Sequence, residues 1–231
     1  MNTQAPKSNI INLDGYQTAP EVLEKTEIGQ EPKVRRKLRG RLLADYVGKP
    51  INDGDTLLGN RYLCRGGGMF IVAPSGIGKS VFSIQTAIEW SAGRRSFGIN
   101  PARATRILIV QAEDDEGDVI EMSNIADHLK LNPEQFELFK RNVWMEPMND
   151  LTGLNFIETL DGFLEEWPAD LVIINPYTSF LGGEIKDDGY NNQFLRNWLN
   201  PIVAKRTCAV VIIHHTPKTN FRDTSEWKSS D

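Results

Sequence analysis

The sequence has few cysteines, no long apolar run and no excess of positive charge. Its two cysteines, Cys64 and Cys208, are far apart and lack C-x-x-C spacing, so we expect reduced thiols rather than a disulfide. No apolar stretch approaches the roughly 20 residues that span a bilayer, and the first residues lack the pattern of a signal peptide. These absences predict a cytoplasmic protein with no membrane partner.

The formal net charge is −5, which argues against a nucleic-acid interface that covers the whole surface. Positive charge is concentrated in Lys33–Val47, where six of the first nine residues are Lys or Arg. This stretch is either a solvated basic linker that runs into a helix, or a contact for a phosphate backbone or a neighbouring subunit. We therefore expect residues 1–50 to form a partly ordered N-terminal arm and linker, with its basic segment at 33–41.

From residue 51 onward, short apolar runs alternate with amphipathic stretches. The runs are nearly continuous rather than alternating with polar residues, which is typical of strands buried on both faces of a parallel sheet. Strands that alternate with helices predict a doubly wound α/β domain, with a mostly parallel, twisted sheet flanked by helices. The expected strands are MFIVA (69–73), ILIVQA (107–112), LVIIN (171–175) and AVVIIHH (209–215), and the expected helices cover 81–93, 119–130 and 191–206.

A glycine-rich turn with the sequence APSGIGKS follows the first of these strands. Glycine lets the backbone adopt positive φ and approach phosphate oxygens, and the N–H groups of the turn and of the next helix form an anion cradle. Lys79 would place a positive charge at the β- and γ-phosphates, and the Ser80 hydroxyl would bind Mg²⁺. The predicted phosphate-binding residues are Ala73, Pro74, Ser75, Gly76, Ile77, Gly78, Lys79, Ser80 and Val81.

Hydrolysis of a bound nucleotide needs further groups at the ends of neighbouring strands. The run Leu171–Asn175 has the form of a metal-binding strand, but Asn175 stands where an aspartate is expected. An amide can bind a metal-bound water but carries no negative charge, which weakens the prediction of hydrolysis. After the strand at 107–112, Glu113 could polarise the attacking water. Asp114 could join the metal shell or cap the next helix.

The last apolar run ends in two histidines, His214 and His215. Successive side chains of a strand point to opposite faces, so at most one of the two rings would face the nucleotide. We expect one of them to sense the γ-phosphate, and the alternative is that both are ordinary residues of the core.

The order of these motifs, APSGIGKS, QAEDD, LVIINPYTSFLGG and VVIIHHTPK, resembles that of the RecA-like ATPases. Within them the chain is most similar to the RepA-type subgroup, which includes hexameric replicative helicases of plasmids, over roughly residues 55–220. The resemblance implies ATP, Mg²⁺ and a homo-oligomeric ring, usually of six subunits, with nucleotide at the subunit interfaces. It also implies roles for single residues: phosphate and metal binding for Lys79 and Ser80, water activation for Glu113, the metal-strand position for Asn175, and the sensor position for His214 or His215.

The resemblance further implies two loops that face single-stranded DNA. Gly182–Asn192 fits the first loop and Thr219–Asp231 fits the start of the second. Neither segment is strongly basic, and their aromatic residues available for stacking on bases are Tyr190 and Trp227. Ordinary surface loops are the alternative interpretation.

A core of this family continues past the sensor strand, so residues 51–231 are expected to form an ATPase core that is incomplete at its C-terminal end. The arginine that completes a neighbour's site is expected at Arg206 or Arg222. The predicted function is an ATP-dependent oligomeric motor on single-stranded DNA, in replication or mobile-element maintenance. The alternative is a nucleotide-switched assembly protein that hydrolyses ATP slowly because of Asn175.

Overall fold

The computed structural model describes residues 42–48, 53–113, 116–183 and 188–216. The chain divides into two compact units, Met1–Lys49 and Pro50–Asp231. The described part of the first unit contains one 3-10 turn, Leu43–Tyr46, and its side chains are exposed. The basic segment 33–41 lies outside the described residues.

A five-stranded parallel sheet forms the centre of the second unit, and its strand order is β3-β7-β6-β4-β5. The α/β fold with a parallel sheet that the sequence predicts is therefore confirmed. The strands of this sheet are β3 (Gly68–Pro74), β4 (Ile107–Gln111), β5 (Val143–Pro147), β6 (Leu171–Asn175) and β7 (Ala209–Thr216), and a separate antiparallel pair consists of β1 (Thr56–Leu58) and β2 (Leu63–Cys64).

Helices cover both faces of the sheet, which is why the central strands are apolar at successive positions. Val172 and Ile174 of β6 pack in one buried cluster with α5 to α8, whereas Leu171 and Ile173 pack in the other with α1 and α3. The helices are α1 (Lys79–Ser91), α2 (Glu116–Ser123), α3 (Ile125–His128), α4 (Pro133–Asn142), α5 (Gly153–Glu166), α6 (Tyr177–Leu181), α7 (Asp188–Asn192) and α8 (Asn200–Arg206).

The helix predicted over 191–206 is not uniform. A π-helical segment, Gln193–Leu199, joins α7 to α8. The wider turn ends two residues before Pro201, which has no N–H to donate to the carbonyl four residues earlier. None of the helices in the described part of the chain has the length and apolarity that a membrane crossing requires.

Asp170 lies just before β6 and connects it to the segments that precede β3 and β4. One carboxylate oxygen accepts hydrogen bonds from the guanidinium groups of Arg65 and Arg103, and the other accepts from the backbone N–H of Arg106 at 3.0 Å. Burial alone would raise the pKa of Asp170, but these donors outweigh it and hold the pKa below its ordinary value of 3.8. The charged carboxylate is thus part of the folded structure.

We predict that Asp170→Asn lowers the free energy of unfolding at neutral pH by about 2–4 kcal/mol, because two guanidinium groups lose their partly buried counter-charge. Since the pKa is lower in the folded state, this stabilisation is present above the unfolded pKa and is lost as the pH falls through the folded pKa. Urea unfolding at a series of pH values measures both effects.

The matched control is Glu137→Gln, which removes a carboxylate from an exposed ion pair with Lys140. Its expected effect is under about 0.5 kcal/mol. An Asp170→Asn variant as stable as the control at pH 7 would contradict the role of Asp170.

Candidate functional site

The loop between β3 and α1 has a conformation that requires glycine. Gly76 has φ +83° and Gly78 has φ +88°, in the left-handed region that other residues rarely adopt. A Cβ atom at either position would meet nothing within 4 Å, so the backbone angles and not the available space demand glycine here. In a loop with such angles, successive backbone N–H groups point into a common hollow that can bind an anion.

The first turn of α1 adds to this hollow. Gly78 is the N-cap residue and no side chain caps the helix, which is 13 residues long. Its first N–H groups therefore have no side-chain acceptor, and the positive end of the helix favours an anion. The loop and the helix end together fit a phosphate group.

The ammonium group of Lys79 lies within the loop, and the residue is only 6% exposed. Its Nζ donates to the carbonyl oxygens of Ala73 at 2.9 Å and Pro74 at 2.5 Å. Burial lowers the pKa of Lys79, and the charge of Glu113 opposes this shift. A phosphate bound in the loop would supply at close range the negative charge that the carbonyl oxygens lack.

Asn175 lies beside Ser80, at the end of β6. It is 3% exposed, and its amide nitrogen is 3.3 Å from Ser80 Oγ and 2.7 Å from Gln111 Oε1. Two of the three predicted metal residues are thus adjacent, whereas the third, Asp114, lies outside the described residues. Gln111 was not predicted, although β4 pairs with β6 so that Gln111 stands opposite Asn175.

Hydroxyl and amide oxygens are acceptable ligands for Mg²⁺, which usually binds few protein groups and keeps several waters. Among the residues that the structure describes, no group of three or more His, Cys, Asp or Glu side chains is arranged to hold a metal. The Ser80 hydroxyl therefore fits Mg²⁺ in a site where nucleotide phosphates would supply the negative charge, whereas Asn175 turns its amide nitrogen and not its oxygen toward Ser80.

Glu113 follows β4 and is near the loop. Its side chain is 55% exposed, with one carboxylate oxygen 3.4 Å from Ser179 Oγ and the other 4.0 Å from His215 Nε2. Ser179 was not predicted, because its approach to Glu113 depends on the position of α6. The carboxylate is therefore open to solvent.

The two histidines lie on opposite faces of β7, as a strand requires. His215 faces Glu113, whereas the ring of His214 meets the Tyr177 ring edge-on at 6.2 Å. Burial lowers the pKa of His214, and His215 and Lys79 add to the shift, so the site favours the neutral ring. In the described part of the chain, the Nδ1 atoms of both rings are buried without a hydrogen-bond partner.

The structure describes only some of the residues predicted to contact DNA or to complete a neighbour's site. Tyr190 meets the Trp198 ring edge-on at 6.0 Å and is partly buried, so it is not an open stacking surface. Arg206 pairs with Asp161 and Glu165 at the end of α8, just before β7 begins and therefore at the opposite edge of the sheet from the loop. The guanidinium is thus engaged by two carboxylates of its own chain, and a role for Arg206 in another subunit's site stays a prediction. Trp227, Arg222 and the segment Thr219–Asp231 lie outside the described residues.

We predict that Gly78→Ala lowers the free energy of unfolding by about 1–2 kcal/mol, because alanine in the left-handed region is strained. The matched control is Gly162→Ala, in the exposed interior of α5, where a Cβ atom would meet nothing within 4 Å. That change should stabilise by roughly 0.5–1 kcal/mol. Urea denaturation of both variants measures the difference, and equal effects would contradict the assigned loop conformation.

A family model for the AAA domain matches residues 36–220, which include the whole parallel sheet, the glycine loop, Lys79 and Asn175. A comparison with curated proteins found none that matches the chain. The match covers well over half of the sequence, and the sheet and loop are those of a RecA-like P-loop fold. The chain therefore belongs to the AAA-domain family of nucleotide-binding P-loop ATPases.

Proposed function

We propose that this protein hydrolyses ATP with Mg²⁺ and works as an oligomeric motor on single-stranded DNA. One observation carries the catalytic part of the proposal: a buried ammonium group, a hydroxyl group and an exposed carboxylate meet at the carboxyl edge of the sheet. They belong to Lys79, Ser80 and Glu113, respectively. The ammonium and hydroxyl groups would bind phosphate and metal, and the carboxylate would activate water.

Binding would begin at the loop. The β- and γ-phosphates would accept hydrogen bonds from the N–H groups of the loop and from Lys79, whose ammonium now contacts two carbonyl oxygens. A charge-assisted hydrogen bond to phosphate is stronger than one to a neutral carbonyl. The Lys79 ammonium would therefore exchange its carbonyl partners for phosphate oxygens of the nucleotide. Most of the affinity would therefore depend on the phosphates.

Mg²⁺, when bound by Ser80 and the phosphates, neutralises charge that develops during phosphoryl transfer. The contribution of this chain is to fix the residues around it. Gln111 holds the amide of Asn175 at 2.7 Å, and Asn175 in turn contacts Ser80. Asn175 would orient water in this shell and would add no negative charge.

Glu113 would act as the general base. It would accept a proton from a water molecule as the water oxygen bonds to the γ-phosphorus in line with the bond to the leaving oxygen, which breaks to give ADP and phosphate. The exposed carboxylate can reach a solvent water. His215, at 4.0 Å, would stabilise the carboxylate when protonated, and a neutral His214 would sense the γ-phosphate.

Support for an oligomer comes from the exposed surface at the loop. Ile77 and Val81 are large apolar residues beside the phosphate site and are 62% and 47% exposed. Covering these two side chains at a subunit interface would remove apolar surface from water. A ring with nucleotide at the subunit interfaces would cover them. Support for DNA as the substrate comes from the resemblance to the RecA-like ATPases.

Steady-state ATP turnover with and without single-stranded DNA tests this proposal. We predict that DNA stimulates turnover. Glu113→Gln should lower kcat by about 100-fold or more while nucleotide affinity stays within about twofold. Lys79→Ala should weaken nucleotide binding itself. Turnover that survives Glu113→Gln would refute the catalytic assignment. Tight binding without turnover, in either the presence or absence of DNA, would favour the nucleotide-switched assembly protein, an alternative that the neutral Asn175 supports.

We further predict that Asn175→Asp raises kcat by about 10-fold or more, because the carboxylate supplies charge to the metal shell. Without nucleotide, the buried carboxylate should destabilise the fold by roughly 1–3 kcal/mol, and Mg–ATP should restore this loss. Turnover and thermal unfolding, each with Mg–ATP and with ATP plus a chelator, measure these effects.

The matched control is Asn142→Asp, another buried amide, whose nitrogen donates to the carbonyl of Ser91 away from the loop. It should be destabilised as well, but without recovery that depends on Mg²⁺. Equal recovery in both variants would show that position 175 is not part of the metal site.

A further inference from the structure

Helix α6 lies between the site and the segment predicted to contact DNA. It begins at Tyr177, two residues after Asn175, and ends at Leu181. Residues two apart in an α-helix point about 200° away from each other. Tyr177 and Ser179 therefore project from nearly opposite sides of this short helix and meet different neighbours.

On one side of α6, the Ser179 hydroxyl approaches the proposed general base. Its Oγ is 3.4 Å from a carboxylate oxygen of Glu113. Glu113 belongs to the connection after β4 and is exposed, so a contact from α6 limits the positions that its carboxylate can occupy. A base that must be aligned with water and phosphorus depends strongly on such a limit.

On the other side, the Tyr177 hydroxyl donates a hydrogen bond to Asn191 Oδ1 at 2.7 Å. Asn191 belongs to α7, which ends the segment predicted to contact DNA. Burial raises the pKa of Tyr177 to about 12, so the phenol stays protonated as a donor throughout the neutral range. The same ring contacts those of His214 and Phe194 edge-on, at 6.2 and 5.5 Å.

The packing of α6 leaves it little freedom to move alone. Phe180 and Leu181 are fully buried, and Phe180 stacks on Phe156 of α5 at 4.3 Å. After the helix, a Cβ atom on Gly182 would lie 2.9 Å from the backbone nitrogen of Gly153. A displacement of α7 that pulls on Tyr177 would therefore be passed to Ser179 by α6 as one body.

From these contacts we infer that α6 couples the two sites, with Ser179 positioning Glu113 and Tyr177 linking α6 to Asn191. The inference rests on the proposed function, because it assigns Glu113 the role of base. The inference assigns positioning roles to Ser179 and Tyr177, which belong neither to the loop motif nor to the strand-end motifs. A ligand that shifts α7 would change the alignment of the base, and a bound nucleotide would change the stability of α7.

Amide hydrogen exchange of residues 188–199 tests this coupling without DNA. A non-hydrolysable ATP analogue should change exchange in this segment about fivefold, within the usual range of allosteric coupling. Tyr177→Phe removes only the hydroxyl group and should reduce that change to under about 1.5-fold while the analogue still binds. Asn191→Ala should have the same effect, and combining the two should add nothing further.

The control for loss of a tyrosine hydroxyl is Tyr62→Phe, at an exposed residue between β1 and β2, and it should keep the full response. A wild-type segment that does not respond to the analogue, or a Tyr177→Phe variant that responds fully, would overturn the inference. If the segment responds as expected but DNA does not stimulate turnover, the coupling stands and DNA is the wrong ligand.

Turnover kinetics test the Ser179 contact separately. Ser179→Ala should lower kcat about 10-fold with the KM for ATP unchanged, because the base is misaligned while phosphate binding is intact. Ser179→Thr keeps the hydroxyl group and should restore most of the loss, which a purely structural role would not predict. A normal kcat in Ser179→Ala, or a KM that changes with kcat, would contradict the positioning role.

Discussion

The parallel pairing of β3, β7, β6 and β4 determines where the side chains of the site lie. Gln111 stands opposite Asn175, and Ile174 stands opposite Ile212, two residues before His214. Because the strands run in the same direction, their carboxyl ends meet at one edge, where open α/β sheets bind ligands. A shift of one residue in any strand would turn these polar groups into the apolar layers. The chemistry of the site thus depends on the register of the sheet.

The two edges of the sheet have opposite electrostatic characters. At the amino ends of the strands, the guanidinium groups of Arg65 and Arg103 neutralise Asp170, which also accepts from the backbone N–H of Arg106, so these partners all come from the chain itself. At the carboxyl ends of the strands, the buried ammonium of Lys79 meets carbonyl oxygens, and the charge of the exposed Glu113 opposes the lowering of its pKa by burial. One edge is therefore satisfied by the fold itself, whereas the other favours the arrival of an anion.

Much of the fold and of the site follows from local patterns in the sequence. The bounds of β3, β4, β6 and β7 were predictable to within a residue. Burial on both faces makes β4, β6 and most of β7 continuously apolar. The burial predicted for both faces of β3 was wrong, because β3 is an outermost strand of the sheet and exposes Phe70 and Val72. The strand β5 was missed because it is an outermost strand of the sheet and is not continuously apolar. Its Trp144 is exposed and its Glu146 is half-buried. Gln111 and Ser179 were missed for another reason. Each matters through a contact across 64 or 66 residues of sequence, which only the pairing of strands and the placement of α6 create.

The orientation of the Asn175 amide explains how a neutral residue changes this site. Its nitrogen donates both to Gln111 Oε1 and to Ser80 Oγ, so the hydrogen bond occupies electron density on the serine oxygen that a metal would use. An aspartate would do the reverse, since its carboxylate would accept the serine proton and leave the oxygen lone pairs for the metal. Gln111 could rotate its amide and donate to that carboxylate. Asparagine at 175 would therefore weaken metal binding in two ways, by the missing charge and by competition for Ser80, and the second effect depends on a buried amide that Gln111 keeps in place.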